Sequence, residues 1–244
     1  MTMNESSTPN TWGNFFGRHR FGGLLIVMLG LIIGKSILLR YDITSRWFNS
    51  AISMIVFASV ISLCYERRER LYSLLFGVPT ILLIEGGRLT TDRSGDWVHF
   101  VGQVCGILFL FGAATLIVKS LFRERTLTYD SLFGAVCGYL FLGLGWSVVY
   151  AIVEGFQPGS FQFNGAVAPG EASASKSPDI LVYYSFITLT TVGYGDIAPA
   201  SSTTRTLAWI EAISGQFYLA VIVAALVSIL SMNMGSNASK NDQG

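Results

Sequence analysis

Apolar positions gather into six runs, near residues 21–39, 47–64, 71–86, 97–118, 131–153 and 205–231, separated by short polar stretches. A helix needs about 20 mostly apolar residues to cross a bilayer, so the pattern predicts an all-α membrane protein with six transmembrane helices. The third run is the weakest: it lies between Arg70 and Glu85 and carries Pro79 in its middle. By itself it also suits a re-entrant segment. Charge favours a crossing. Basic residues concentrate in Glu66-Arg67-Arg68-Glu69-Arg70 and again in Lys119, Arg123 and Arg125, and short basic loops stay in the cytoplasm. With both loops on one side and the run 97–118 crossing, 71–86 has to cross too. Both termini are then expected in the cytoplasm, with the chain in a plasma or bacterial inner membrane.

Between the fifth and sixth runs the pattern changes. A stretch rich in Gly, Ala and Ser, 154–177, leads to Ser177-Pro178-Asp179, which reads as a helix start: hydroxyl cap, proline in the first position, acid in the first turn. The apolar helix that follows, to about Thr190, is too short to span and is expected to dip in and return on the outer side. Irregular backbone at membrane depth is tolerated only where it is buried in protein or lines a water-filled path. Here it reads Thr191-Val192-Gly193-Tyr194-Gly195, the sequence whose carbonyls replace the hydration shell of potassium in known filters. Gly193 and Gly195 lack a Cβ and suit unusual backbone angles. Thr191 adds a hydroxyl, and Val192 and Tyr194 are expected to point away and wedge against the short helix.

Composition narrows the alternatives. The chain is 51% apolar and 13% charged, far from the roughly 25% charged of soluble proteins. Lys and Arg total 16 against 15 Asp and Glu, so no basic field exists for nucleic acid. Cys64, Cys105 and Cys137 fall inside apolar runs, without disulfide or zinc spacing. Arg18-His19-Arg20 before the first run imitates a signal peptide, but no small-residue cleavage site follows Gly34, so the run is read as a retained anchor. Met1–Asn10 is polar, and Trp12, Phe15, Phe16 and Phe21 around Arg18 and Arg20 suit an interfacial segment or a plain lead-in. Trp47, Trp97 and Trp209 sit where interfacial anchors belong. Gly30/Gly34, Gly102/Gly106 and Gly134/Gly138 form small-xxx-small pairs that permit close helix contact, or reflect the general abundance of membrane glycine.

The stretch Tyr183-Tyr184-Ser185-Phe186-Ile187-Thr188-Leu189-Thr190-Thr191-Val192-Gly193-Tyr194-Gly195-Asp196 resembles the pore signature of tetrameric potassium channels. The resemblance covers Ser131 to Ser231 and, more loosely, the six-helix plan of voltage-gated relatives. It implies a homotetramer conducting K+ passively, in keeping with one filter loop per chain. The partners implied are K+, the lipid bilayer and three identical subunits, with no cofactor beyond K+ in the filter. The implied division is an N-terminal segment 1–20, a four-helix domain 21–118, a linker 119–130, a pore domain 131–231 and a tail 232–244. Within the pore domain come the outer helix, a turret 154–177, the pore helix, the filter 191–195 and the inner helix 205–231. The carbonyls of Thr191, Val192, Gly193 and Tyr194 and the Thr191 hydroxyl would hold K+, with Tyr184, Ile187, Thr190 and Asp196 in support. Gly215 matches the inner-helix hinge, although close packing explains a helical glycine equally well. Ala224 and Ser228 fall in an apolar run suited to an inner constriction.

Some features depart from that family. Ile187 stands where some relatives carry an acid, so no carboxylate there pairs with Asp196. Glu211 lies two turns into the sixth run, where an ionisable group is costly; bonding to the pore helix and proton sensing are the two readings. His99, beside Trp97, reads as interfacial. The fourth run has no Lys or Arg from Val98 to Val118, so steep voltage gating is not expected. Gly193-x-Gly195-x-x-Ala198 formally satisfies a dinucleotide fingerprint but lacks the preceding strand and following helix. A long four-loop potassium transporter does not fit one loop, and an accessory or receptor-like subunit that does not conduct is the remaining alternative.

Overall fold

The computed structural model describes residues 20–40, 67–89, 93–123, 128–164 and 178–241. The second apolar run, 47–64, lies outside them, as do Ser177, most of the turret, the segment before Arg20 and the side chain of Lys35. The described elements are α1 (Arg20–Arg40), α2 (Arg67–Leu89), α3 (Arg93–Arg123), α4 (Tyr129–Phe156), β1 (Phe161–Phe163), α5 (Pro178–Leu189), β2 (Ile197–Pro199) and α6 (Ser202–Asn241). Among them, three carry stretches long and apolar enough to cross a membrane: Asp96–Phe122, Tyr129–Phe156 and Ser202–Ser228. The apolar parts of α1 and α2, Phe21–Gly34 and Arg70–Ile84, are shorter.

Pro79 does not interrupt the helix of the third run, and one expectation about an element end changes. The Thr80 hydroxyl donates to Phe76 O at 2.6 Å, next to the carbonyl that the proline cannot serve. The last helix does not stop near 231 but runs through Asn241. Ser and Asn are only mildly unfavourable in a helix, and extending one already nucleated costs little where no proline intervenes.

α2 packs on α3, α3 on α4, and α1 on the start of α4. The first buried cluster joins α1, α3, α4 and α6 through Leu24, Met28, Phe109, Ile117, Phe141 and Ile222. Gly102 and Gly106 behave as the spacing suggests, since a Cβ would meet Ile84 N at 2.9 Å and Thr80 Cγ2 at 3.2 Å on α2. Gly134 and Gly138 receive the Phe21 ring and the Tyr218 hydroxyl, whereas Gly30 and Gly34 have no close neighbour among the described residues.

α4 starts on Thr128, whose side chain accepts from Ser131 N. Its first-turn acid, Asp130, does more than favour the helix dipole. Asp130 Oδ1 accepts the Phe21 and Gly22 amides at 2.9 and 3.0 Å, capping α1 from another helix. Asp130→Ala should therefore cost about 1 kcal/mol, the usual loss for a helix cap. Thermal unfolding in detergent measures it, and Asp130→Asn, which keeps an acceptor, should recover most of the loss.

Among the described residues a single short ladder accompanies the helices. β1 and β2 pair antiparallel, with Phe161 opposite Pro199, Gln162 opposite Ala198 and Phe163 opposite Ile197. This short ladder, with Ala200 N donating to Ser160 O at 2.8 Å, ties the end of α4 to the chain beyond the candidate filter. The second buried cluster, Trp146, Tyr150, Phe161, Leu181, Tyr184, Leu189 and Ile197, lies beneath it and seats α5.

Candidate ion-conduction site

α5 ends at Leu189, and the next residues stay attached to it. Thr190 N donates to Phe186 O (3.0 Å), Thr191 N to Thr188 O (2.9 Å), and both Val192 N and Gly193 N to Ile187 O (2.9 and 3.2 Å). The Thr190 hydroxyl also returns to Phe186 O at 2.6 Å. The amides entering the loop thus face the helix, away from the side left for the carbonyls. Ile187 acts here through its backbone carbonyl while its side chain is buried, a role the sequence comparison with acid-bearing relatives does not reveal.

Backbone handedness alternates along the loop. Thr191, Gly193 and Gly195 have φ of +59°, +52° and +79°, and no other described non-glycine residue has positive φ. The two glycines were anticipated; Thr191 was not. For a non-glycine residue this conformation costs about 1–2 kcal/mol, and strain of that kind concentrates at functional sites. Alternating handedness turns successive peptide planes the same way, so that their polar groups line one side. Val192 and Tyr194 are 50% and 72% exposed, so one chain by itself leaves much of both side chains uncovered.

The outer end of the loop is braced. The Tyr183 hydroxyl donates to Asp196 Oδ2 at 2.7 Å, and Ile197 N to Asp196 Oδ1 at 2.9 Å. Asn164 donates from its backbone to Asp196 O (2.7 Å) and from Nδ2 to Gly195 O (3.1 Å). Asp196 is held at the end of the loop by Tyr183 and its own neighbour's amide, with a tyrosine in the place of a second carboxylate. Tyr184 supports differently: its ring is buried at 5.1 and 5.0 Å from those of Tyr150 and Phe161.

The inner end rests on α4 and α6. The Tyr139 hydroxyl donates to Leu189 O at 3.0 Å, occupying one carbonyl at the end of α5. A Cβ on Gly215 would lie 2.6 Å from that same Leu189 oxygen, and α6 continues through Gly215 as helix. Close packing is therefore a sufficient reason for a glycine at this position. One turn earlier, Glu211 is fully buried. Tyr150 Oη donates to its Oε2 at 2.6 Å, and Ser185 Oγ lies 2.5 Å from Oε1, so the carboxyl bonds to the pore helix as the structural reading expects. Trp146 Nε1 donates to Ser214 Oγ at 3.1 Å nearby.

Beneath the loop, a recess of 480 Å³ is lined by Thr191, Ala212, Ile213, Gln216, Phe217 and Ala220. Gln216 was missed, although one amide in an otherwise apolar run was the available signal. Ala224 and Ser228 lie further along α6, both exposed, and the chain does not bring them against the loop. His99 lies elsewhere, lining a cavity with Asp96, Gln103 and Glu154 at the ends of α3 and α4. Among the described residues no group of His, Cys, Asp and Glu is arranged to hold a metal ion.

A family described as "Ion channel" matches residues 139–232, which run from α4 through the loop into α6. Protein LctB of Bacillus caldotenax is 34% identical over 134 residues, covering 52% of this chain and 92% of that relative. Protein LctB of Geobacillus stearothermophilus is 30% identical over 128 residues, with the same coverage. No solved structure matches the chain. With the loop and its braces inside the matched region and a relative covered almost end to end, the chain belongs to the ion channel family.

Proposed function

We propose that the chain is one subunit of a potassium-selective channel in which four copies surround one axis and K+ passes down its gradient. The carbonyls of Thr191, Val192, Gly193 and Tyr194 and the Thr191 hydroxyl replace the ion's water. The observation that carries this reading is the alternation of positive φ at 191, 193 and 195, combined with amides turned back onto Ile187. Val192, Tyr194 and Phe217, each at least half exposed in one chain, become buried between subunits. In this reading α5 is re-entrant, six helices cross the bilayer and both termini are cytoplasmic. Purified protein in sealed vesicles should take up K+ down a gradient, and its native mass should be that of four chains. Tetramers without uptake would support the non-conducting alternative.

Further outcomes follow. Tyr183→Phe removes the donor to Asp196 Oδ2, an interaction worth about 1 kcal/mol. Selective current should persist but decay several-fold faster under a sustained gradient, and an unchanged time course would show that this brace is idle. Voltage dependence should be shallow, because the basic residues of α3, Arg93, Lys119 and Arg123, sit at its ends. Each charge moved across 100 mV is worth about 2.3 kcal/mol, and steep gating takes about three or four per subunit. A conductance–voltage curve of that steepness would refute the expectation.

A further inference from the structure

The buried Glu211 cluster contains three short oxygen–oxygen contacts: Tyr150 Oη to Glu211 Oε2 at 2.6 Å, Ser185 Oγ to Glu211 Oε1 at 2.5 Å, and Ser185 Oγ to Gly143 O at 2.7 Å. Each needs a proton between its two oxygens. The hydroxyls of Tyr150 and Ser185 supply one apiece, and the Gly143 carbonyl supplies none. Two protons cannot serve three contacts. The missing one belongs on Glu211: its Oε1–H donates to Ser185 Oγ, which frees the Ser185 hydroxyl to donate to Gly143 O. An ionised Glu211 would leave two acceptor oxygens facing each other across one of these contacts, at a position where the carboxyl is fully buried and a charge is expensive unless paired. The titratable groups facing it are phenols: Tyr139 and Tyr150 from α4 and Tyr184 from α5.

We propose that Glu211 is a positioning residue for the filter, working as a protonated acid that clasps α4, α5 and α6 together, and that removing its proton releases the clasp and shuts conduction. The link to the filter is short. Ser185 lies two residues before Ile187, whose carbonyl receives the Val192 and Gly193 amides. Gly215, one turn along α6 from Glu211, abuts Leu189 O. The same face of α6 therefore holds the middle of the pore helix through the Glu211 carboxyl and its end through contact at Gly215. The inference rests on the channel reading above for its effect on current, but not for the protonation state.

The test uses the full chain, wild type and two variants, in lipid vesicles. Glu211→Gln keeps a donor for Ser185 and an acceptor for Tyr150 without a titrating group. It should conduct at neutral pH nearly as wild type does, and should keep its current at alkaline pH, where the wild-type current falls. Glu211→Ala leaves Tyr150 and Ser185 unsatisfied and should lose current by about tenfold or more. In parallel, infrared spectroscopy at neutral pH should show the C=O stretch of a protonated carboxylic acid in the wild type and its loss in Glu211→Gln. The proposal is overturned if that band is the same in both, or if Glu211→Gln fails as Glu211→Ala does while the wild-type current ignores alkaline pH. A band present in the wild type with no K+ current in any form would uphold the protonated clasp and refute the channel reading instead.

Discussion

Gly193→Ala is expected to abolish potassium-selective current while leaving the chain able to fold. Among the described residues nothing lies within 4 Å of where the new Cβ would sit, so crowding by them is not the reason. Handedness is: at φ +52° an alanine costs about 1–2 kcal/mol, and four identical loops about 4–8 kcal/mol together. The loop relieves that cost by rotating the peptide planes on either side of residue 193, which would remove carbonyls from the row proposed to coordinate the ion. Gly159 supplies the control. It has φ +86° and equally open surroundings, but lies in the turn after α4, where its amide donates to Glu154 Oε1 at 2.8 Å. Gly159→Ala should cost similar stability per chain and leave selectivity intact. Wild-type selectivity in Gly193→Ala would mean that this loop is not the filter.

Gly215→Ala is expected to fail for a different reason. The new Cβ would stand 2.6 Å from the backbone oxygen of Leu189 and 2.9 Å from its Cδ1. A backbone atom cannot rotate away as a side chain can, so either α6 or the end of α5 must move. Overpacking of this kind costs about 1–3 kcal/mol. The displaced end of α5 carries the proposed filter, so the variant should lose thermal stability and ion selectivity together. A hinge role makes the opposite prediction, with stability and selectivity retained and open probability lowered by a stiffer helix. Single-channel recording and thermal unfolding of the same preparation separate the two.

Much of this arrangement was legible in the sequence because it rests on local rules. The apolar runs placed α3, α4 and the start of α6 to within about five residues, although α6 runs on to Asn241 through polar residues, and Pro178-Asp179 marked the start of α5. The glycines of the loop announced its backbone. What escaped depends on contacts between distant residues. Nothing near Phe163 or Ile197 signals that they pair, because a three-residue strand is defined by its partner. Tyr183, Asn164 and Tyr139 are ordinary residues until the fold brings them to Asp196, Gly195 and Leu189. Thr191 was expected to contribute a hydroxyl, and its left-handed backbone is imposed by the hydrogen bonds on either side of it. Glu211 was conspicuous in sequence as an acid in an apolar helix, but its partners Tyr150 and Ser185 lie 61 and 26 positions away.

The central claim is that the Thr191–Gly195 loops of four chains select potassium. The most direct measurement is the reversal potential of current through purified protein in a planar bilayer with potassium on one side and sodium on the other. The account predicts a reversal potential that tracks the potassium gradient and is indifferent to sodium. A reversal potential that shifts with sodium as readily as with potassium would contradict it.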